Sequence, residues 1–344
     1  MTIVTAMIAN KKRKVNIPIF VSHQGCPNDC IFCNQKKITG VCEKEREDVI
    51  RKKIESFLFH TAPDCNIEIS FFGGSFTGIP LEEQNMYLRV ANEFFYDSRV
   101  TGIRLSTRPD YISGEILENL KKYNVTTIEL GVQSMENKVL KMNKRGLEAE
   151  AVYTAVKLIR EYGFSLGLQM MTGMYGSSPQ TDIETAEKII GMKPDCVRIY
   201  PTVVIEETEL FDLYKNGEYK PQNIEEAVSL CAVLLKMFEE NNIPVIRLGL
   251  MAGEDINENK VFGPYHSSFR ELTESHIIYT EIAEFLSKNP HNGKVLEVIS
   301  NKKFVSKIVG NKRSNIEKIM KEFCLSDIKI TENNQIEKYN FKII

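Results

Sequence analysis

What most limits the fold of this chain is an alternation. Seven short β-branched or apolar runs occur at Asn16–Val21, Asn66–Phe72, Gly102–Ser106, Thr126–Val132, Ser165–Met171, Cys196–Tyr200 and Pro244–Leu248. Between them lie stretches with helical period, such as "LEEQNMYLRVANEFF", "ISGEILENLKKY" and "AEAVYTAVKLIREYG". Strands alternating with helices predict an α/β fold with a parallel sheet covered by helices, either doubly wound or a full or partial barrel. Both arrangements put functional loops at the C-terminal ends of the strands. Four distinctive turns fall there. A cysteine cluster follows the first strand, "FFGGSF" the second and "STRPDY" the third, while "GVQS" closes the fourth. They are expected to converge on one pocket.

The cysteine cluster carries the chemistry. "VSHQGCPNDCIFCNQKKITG" holds three of the chain's eight cysteines, at Cys26, Cys30 and Cys33. A composition of 42% hydrophobic and 26% charged residues is that of a globular enzyme. No apolar run approaches the roughly 20 residues of a membrane span. The basic cluster Lys11–Lys14 follows the apolar N-terminal stretch, the reverse of a secretory signal, so a cytoplasmic location is expected. In that compartment clustered thiols bind metal or do redox chemistry. Closed zinc sites and iron–sulfur cubanes both normally take four protein ligands. Three thiolates leave one iron with an open position for a small molecule. A zinc loop completed by Cys42 or a distant residue is the competing reading. Gly73 and Gly74 allow close backbone approach, and their freed N–H and C=O groups with Ser75 suit an amino-acid head group, or simply make a turn.

Taken in order, "GGSFTGIP", "STRPDY", "ELGVQS", "NKRG" and "VRIYPTVVIEETELFDLYKNGEYKP" make the chain, over about residues 15–250, resemble the radical SAM superfamily. Within it the resemblance is to the catalytic subunit of Elongator, a tRNA wobble-uridine modification enzyme. It implies a partial (β/α)6 barrel and a 4Fe-4S cluster on Cys26, Cys30 and Cys33. S-adenosyl-L-methionine would chelate the open iron and be cleaved reductively to a 5′-deoxyadenosyl radical, with a reducing electron donor as partner. Phe32 would pack beside the adenine, and Gly73, Gly74 and Ser75 would hold the methionyl amine. The chain departs from the Elongator pattern in its shorter first cysteine spacing and in the sequence after Arg247. No stretch matches an acetyltransferase domain, so any acyl-group donor is expected to be a separate enzyme. "ELGVQS" is also similar to the oxygen-independent coproporphyrinogen oxidases, which keeps a small-molecule substrate as an alternative.

Other residues carry narrower expectations. Arg108 could reach the cofactor carboxylate or an RNA phosphate, or stiffen its turn. Glu129, Gln133 and Ser134 flank the fourth strand end, where the resemblance implies contacts to the cofactor ribose. Arg198 and Tyr200 share a strand face and would lie near substrate if that face is the barrel interior. His266 could donate a proton or touch RNA, or serve its loop. Cys65, Cys196, Cys231 and Cys324 read as packing residues.

The tail changes character. Residues 291–344 hold eleven Lys or Arg against six Asp or Glu, in a chain whose formal net charge is −2. The order strand Lys294–Ile299, helix Lys302–Val309, turn Gly310–Arg313, helix Ser314–Phe323 and strand Asp327–Ile330 resembles the β-α-α-β core of a KH domain. That resemblance implies a Gly-x-x-Gly turn that clamps single-stranded RNA. Here Arg313 stands at the second glycine, beside Lys312. A plain α/β cap is the other reading. The expected organisation is a radical SAM core over 1–250, a helical connector over 251–290 and a KH-like RNA-binding domain over 291–344. Three functions follow: a radical SAM enzyme acting on tRNA or other RNA, one acting on a small molecule, or a non-catalytic metal-binding RNA-binding protein. None involves a membrane.

Overall fold

The computed structural model describes residues 13–21, 30–33, 45–250, 261–289, 295–336 and 341–343. Cys26, Cys42, Lys11 and Lys12 lie outside them.

All seven expected strands form. They are β1 (Arg13–Val21), β2 (Cys65–Gly73), β3 (Val100–Thr107), β4 (Val125–Gln133), β5 (Ser165–Thr172), β6 (Cys196–Pro201) and β8 (Val245–Leu248). They pair in parallel in the order β1-β2-β3-β4-β5-β6-β8. The intervening helices are α1 (Glu47–His60), α2 (Leu81–Asn92), α3 (Gly114–Lys122), α4 (Asn137–Met142), α5 (Ala149–Glu161) and α6 (Pro179–Gly191). A doubly wound sheet reverses its strand order part way. This order never reverses, so right-handed crossovers put every helix on the same face. The sheet therefore curls into a half-barrel with an uncovered inner face.

Period-two patterning fits that geometry. Ile17, Ile19, Ile67, Ile69, Phe71, Leu105, Ile128, Leu130, Leu168 and Ile199 are all wholly buried on the helix-covered face. Their neighbours on the inner face are Phe20, Glu68, Phe72, Arg104, Glu129, Gln169, Arg198 and Tyr200. A sheet with an entirely apolar inner face would need another layer to cover it. This one carries a charged interior instead.

After β6 come β7 (Val204–Ile205), α7 (Glu209–Lys215) and α8 (Ile224–Glu240); β7 pairs antiparallel with β9 (Val261–Phe262). The expected connector contains α9 (Phe269–Lys288), which serves two cores. Phe269 and Ile277 lie in the barrel core, whereas Ile278, Ile282 and Leu286 lie in a second cluster with Leu296, Val298, Ile308, Ile316 and Ile319. That second cluster is built by β10 (Val295–Ser300), α10 (Val305–Val309), α11 (Ser314–Glu322) and β11 (Asp327–Glu332), in the expected order. β12 (Phe341–Ile343), which the sequence reading did not place, adds a third strand. β10 is central, parallel to β11 and antiparallel to β12. Polar ties also join the units: Lys307 Nζ lies 2.5 Å from Glu274, and Asn315 Nδ2 donates to Ser275 O at 2.9 Å.

Candidate active site

The cysteine loop leaves β1 at the C-terminal end of the sheet and is gripped from two sides. Ile31 N–H donates to Asn143 O at 3.3 Å, and Leu210 N–H donates to Ile31 O at 2.8 Å. Between Cys30 and Cys33 the chain turns tightly, with Cys33 N–H on Cys30 O at 2.9 Å. Ile31 is buried with Val204, Leu210 and Tyr219, and Phe32 packs against that cluster. Asn143 holds its own place through Nδ2, which donates to Val139 O and Tyr175 O, both at 2.8 Å. Two residues further on, Arg145 points its guanidinium at the loop: Nη1 lies 3.8 Å from Cys30 Sγ, and Nη2 donates to Gly131 O at 2.5 Å. Sequence reasoning missed Asn143 and Arg145, although "NKRG" was one of the motifs noticed.

The other strand-end turns gather beside this loop. Val21 and Gly73 are register partners, so the Gly73–Ser75 turn starts next to the cysteine loop. Gly73 has φ 108°, a conformation that side-chain-bearing residues rarely adopt. Ser75 Oγ sits 2.9 Å from Thr107 Oγ1 and accepts Arg108 N–H at 3.1 Å, tying the second and third turns together. Arg108 is buried. Its guanidinium forks onto Asp110 at 2.9 and 2.8 Å and donates to Arg145 O at 2.8 Å, which is the turn-stiffening arrangement. Gln133, at φ 67°, ends β4 in a bulge opposite Met170. An added Cβ on Gly131 would meet Gln133 Nε2 at 2.9 Å and Arg145 Nη2 at 3.1 Å, so a larger residue there would have to displace both side-chain ends.

Inside the half-barrel a ladder of charges crosses the strands. Glu129, wholly buried, accepts from Arg104 at 2.7 Å, from Arg198 Nη2 at 2.8 Å and from Gln169 at 2.8 Å. Glu68 accepts from Arg104 at 2.7 Å and from Thr127 at 2.7 Å. Burial by itself would raise the Glu129 carboxyl, but the Arg198 and Arg104 guanidinia outweigh it and hold it below the ordinary carboxylate range. Both oxygens of Glu129 are thus engaged by protein donors. Arg198 stacks on the Phe72 ring at 4.8 Å and meets the Tyr200 side chain, so both do share the interior face. His266 sits in the turn before α9, where its Nδ1 accepts Ser268 N–H at 3.0 Å.

At the end of β5 a cavity of about 360 Å³ is lined by Gly173, Tyr175, Ser178, Asp182, Tyr219 and Gln222. Burial pushes the Asp182 carboxyl up to about 7, against the pull of the Gly173 N–H that it accepts at 2.8 Å. The unfolded chain releases this proton near pH 4. Stability should therefore fall as pH rises from about 4 to 7 and then level off. Asp182→Asn keeps an acceptor for Gly173 and removes the titration. Urea unfolding should show the variant gaining on the wild type by about 2 kcal/mol between pH 4 and pH 8. Parallel pH profiles for the two proteins would refute this.

In the tail, Gly310 has φ 77°, and Lys312 and Arg313 follow with φ 51° and 66°. Helix α10, just before the turn, is tied to the first half of α9, where Ser306 Oγ donates to Glu271 and Ser275 Oγ donates to Lys307 O. An added Cβ on Gly249, just past β8, would lie 2.8 Å from Phe269 Cβ at the start of α9.

A parallel half-barrel with a clamped cysteine loop at its C-terminal rim defines a class, and comparison with known families agrees. The chain belongs to the radical SAM superfamily, whose profile matches residues 20–189, and the Radical SAM C-terminal domain matches residues 194–278. Within that class it is 34% identical over 200 residues to a tRNA uridine(34) acetyltransferase of Methanocaldococcus infernus, covering 52% of this chain and 38% of that protein. It is 29% identical over 191 residues to human Elongator complex protein 3, covering 50% and 35%. The solved structure of the archaeal Methanocaldococcus infernus Elp3 with an N-terminal deletion superposes with a TM-score of 0.59 at 25% identity, covering 80% of this chain and 63% of that one. The chain thus spans well under half the length of these sequence relatives. Radical SAM enzymes use a 4Fe-4S cluster and S-adenosylmethionine. The residues fit that pair: two thiols in a clamped loop, a buried guanidinium on one of them, and an open glycine turn alongside.

Proposed function

We propose that this chain is the radical-generating part of a tRNA-modifying enzyme, acting on a uridine. The observation that carries this reading is the similarity, over about half of this chain, to archaeal proteins named for uridine 34 of tRNA. When bound, the cluster and S-adenosylmethionine supply a 5′-deoxyadenosyl radical that abstracts hydrogen. The chain's own residues do the rest. Cys26, Cys30 and Cys33 would hold the cluster, and the Gly73–Ser75 turn would receive the methionyl head group. The Glu68–Arg104–Glu129–Arg198 ladder fills the barrel interior with mutually satisfied charges, which keeps water from the radical. Phe20 and Phe72 are register partners on the inner face, where an unstacked base would find aromatic surface. A reducing electron donor and, if an acyl group is transferred, a separate donor enzyme complete the system. Among the described residues no helix is long and apolar enough to cross a membrane. The proposed working location is the cytoplasm, in keeping with a tRNA substrate. Mass spectrometry of tRNA nucleosides from cells with and without the gene tests the reading, and an unchanged nucleoside profile overturns it.

The KH-like tail supplies the grip on RNA in this proposal. Arg313 holds a left-handed conformation that costs a non-glycine residue roughly 1 kcal/mol, so its side chain is retained against local strain. Arg313→Gly should therefore raise stability by up to about 1 kcal/mol. The same change should weaken tRNA binding and lower the slope of log affinity against log salt by about 1. A more stable variant with unchanged binding would assign the turn to the cap reading.

A further inference from the structure

We propose that Arg145 is a positioning residue that sets the reduction potential of the cluster through its contact with Cys30. The inference rests on the cluster assignment above. It begins with how Arg145 is aimed. Helix α4 ends in a Schellman-type cap, with Arg145 N–H on Leu140 O at 3.0 Å, Lys144 N–H on Lys141 O at 3.1 Å, and Lys144 left-handed at φ 51°. That cap reverses the chain and directs the Arg145 side chain back under the cysteine loop. Two bonds then fix it: Nη2 on Gly131 O, and its own carbonyl under the Arg108 guanidinium.

Arg145 is 6% exposed, and among the described residues no carboxylate pairs with it. A buried charge needs a counter-charge. Among the described residues the group within reach that can provide one is Cys30 Sγ, which stands for the thiolate that an iron would bind. Arg145 Nε–H is also buried without a partner, so a further donor remains on the same side chain. A one-electron reduction adds negative charge to the cluster. A fixed cation donating an N–H to a ligand sulfur favours that reduced state and moves the potential upward. The same guanidinium holds the loop through Gly131, so charge and geometry are delivered together.

The test is an EPR-monitored redox titration of anaerobically reconstituted full-length protein without S-adenosylmethionine. The proteins compared are the wild type, Arg145→Gln and Arg145→Lys, with iron and sulfide content measured for each. Arg145→Gln should load iron and shift the midpoint downward. At the wild-type midpoint its reduced-to-oxidised ratio should fall about tenfold, which is 59 mV for a one-electron couple. Arg145→Lys keeps the charge without the fork and should fall between the two. A fully loaded Arg145→Gln protein with the wild-type midpoint overturns the proposal. So does loss of iron from both variants, which would assign Arg145 to holding the loop. A wild type that binds no reducible cluster would instead refute the assignment of the site itself.

Discussion

Cys30→Ala and Cys33→Ala are each expected to abolish cluster loading and the release of 5′-deoxyadenosine. The two side chains occupy a turn of four residues whose Ile31 backbone is held by Asn143 and Leu210, which fixes where these two thiols stand. Cys65 and Cys231 are buried in the barrel core, and Cys324 is exposed in the tail. Cys324→Ala is thus the matched control and should retain full iron content. Iron and sulfide analysis after anaerobic reconstitution, with chromatography of the cleaved cofactor, gives the readout. A loop variant that still held a cluster and cleaved the cofactor would show that another ligand set carries the chemistry.

The second large effect concerns stability. Glu129→Leu should destabilise the protein by about 3–5 kcal/mol, because it leaves the buried Arg198 guanidinium without its carboxylate and Arg104 with Glu68 alone. Pairing it with Arg198→Met should recover part of the loss, since a removed ion pair is less harmful than a broken one. Glu129→Gln keeps acceptors but not the charge and should fall between. The pH dependence follows from the lowered carboxyl. Its contribution is complete above the ordinary glutamate value near 4.3 and is lost as pH falls through the lower folded value. Urea titrations at pH 7 and pH 3 of wild type and Glu129→Leu should therefore show a smaller gap at the acidic end than at pH 7. A cost under about 1 kcal/mol at pH 7 would mean that water reaches the ladder and screens it.

These predictions mark what could be read from the residues and what could not. Seven strands were visible because each carries apolar residues at every second position on its helix-covered side, and that period survives without knowledge of the partner. The convergence of the four strand-end turns followed from parallel pairing alone. Period two also placed Arg198 and Tyr200 on one face but could not say what faced them. Arg104, Arg198 and Gln169 all reach Glu129 from other strands, which no local pattern announces. Arg145 meets a cysteine 115 positions earlier in the chain, and nothing local to "NKRG" announces that contact. α9 read as a connector because its two apolar sides serve different cores, and an amphipathic pattern does not reveal which neighbour each side will meet.

That shared helix bears on how the tail can be dissected. Cutting the chain at residue 290 would uncover Ile278, Ile282 and Leu286 and take Lys307 away from Glu274. A truncated enzyme would carry an oily ridge along its flank, and a failure to hold tRNA would report damage to the scaffold as readily as a missing grip. The catalytic half and the tail form one mechanical piece. Single changes on the Gly310–Arg313 turn, which leave the ridge covered, are the instrument that can tell those causes apart.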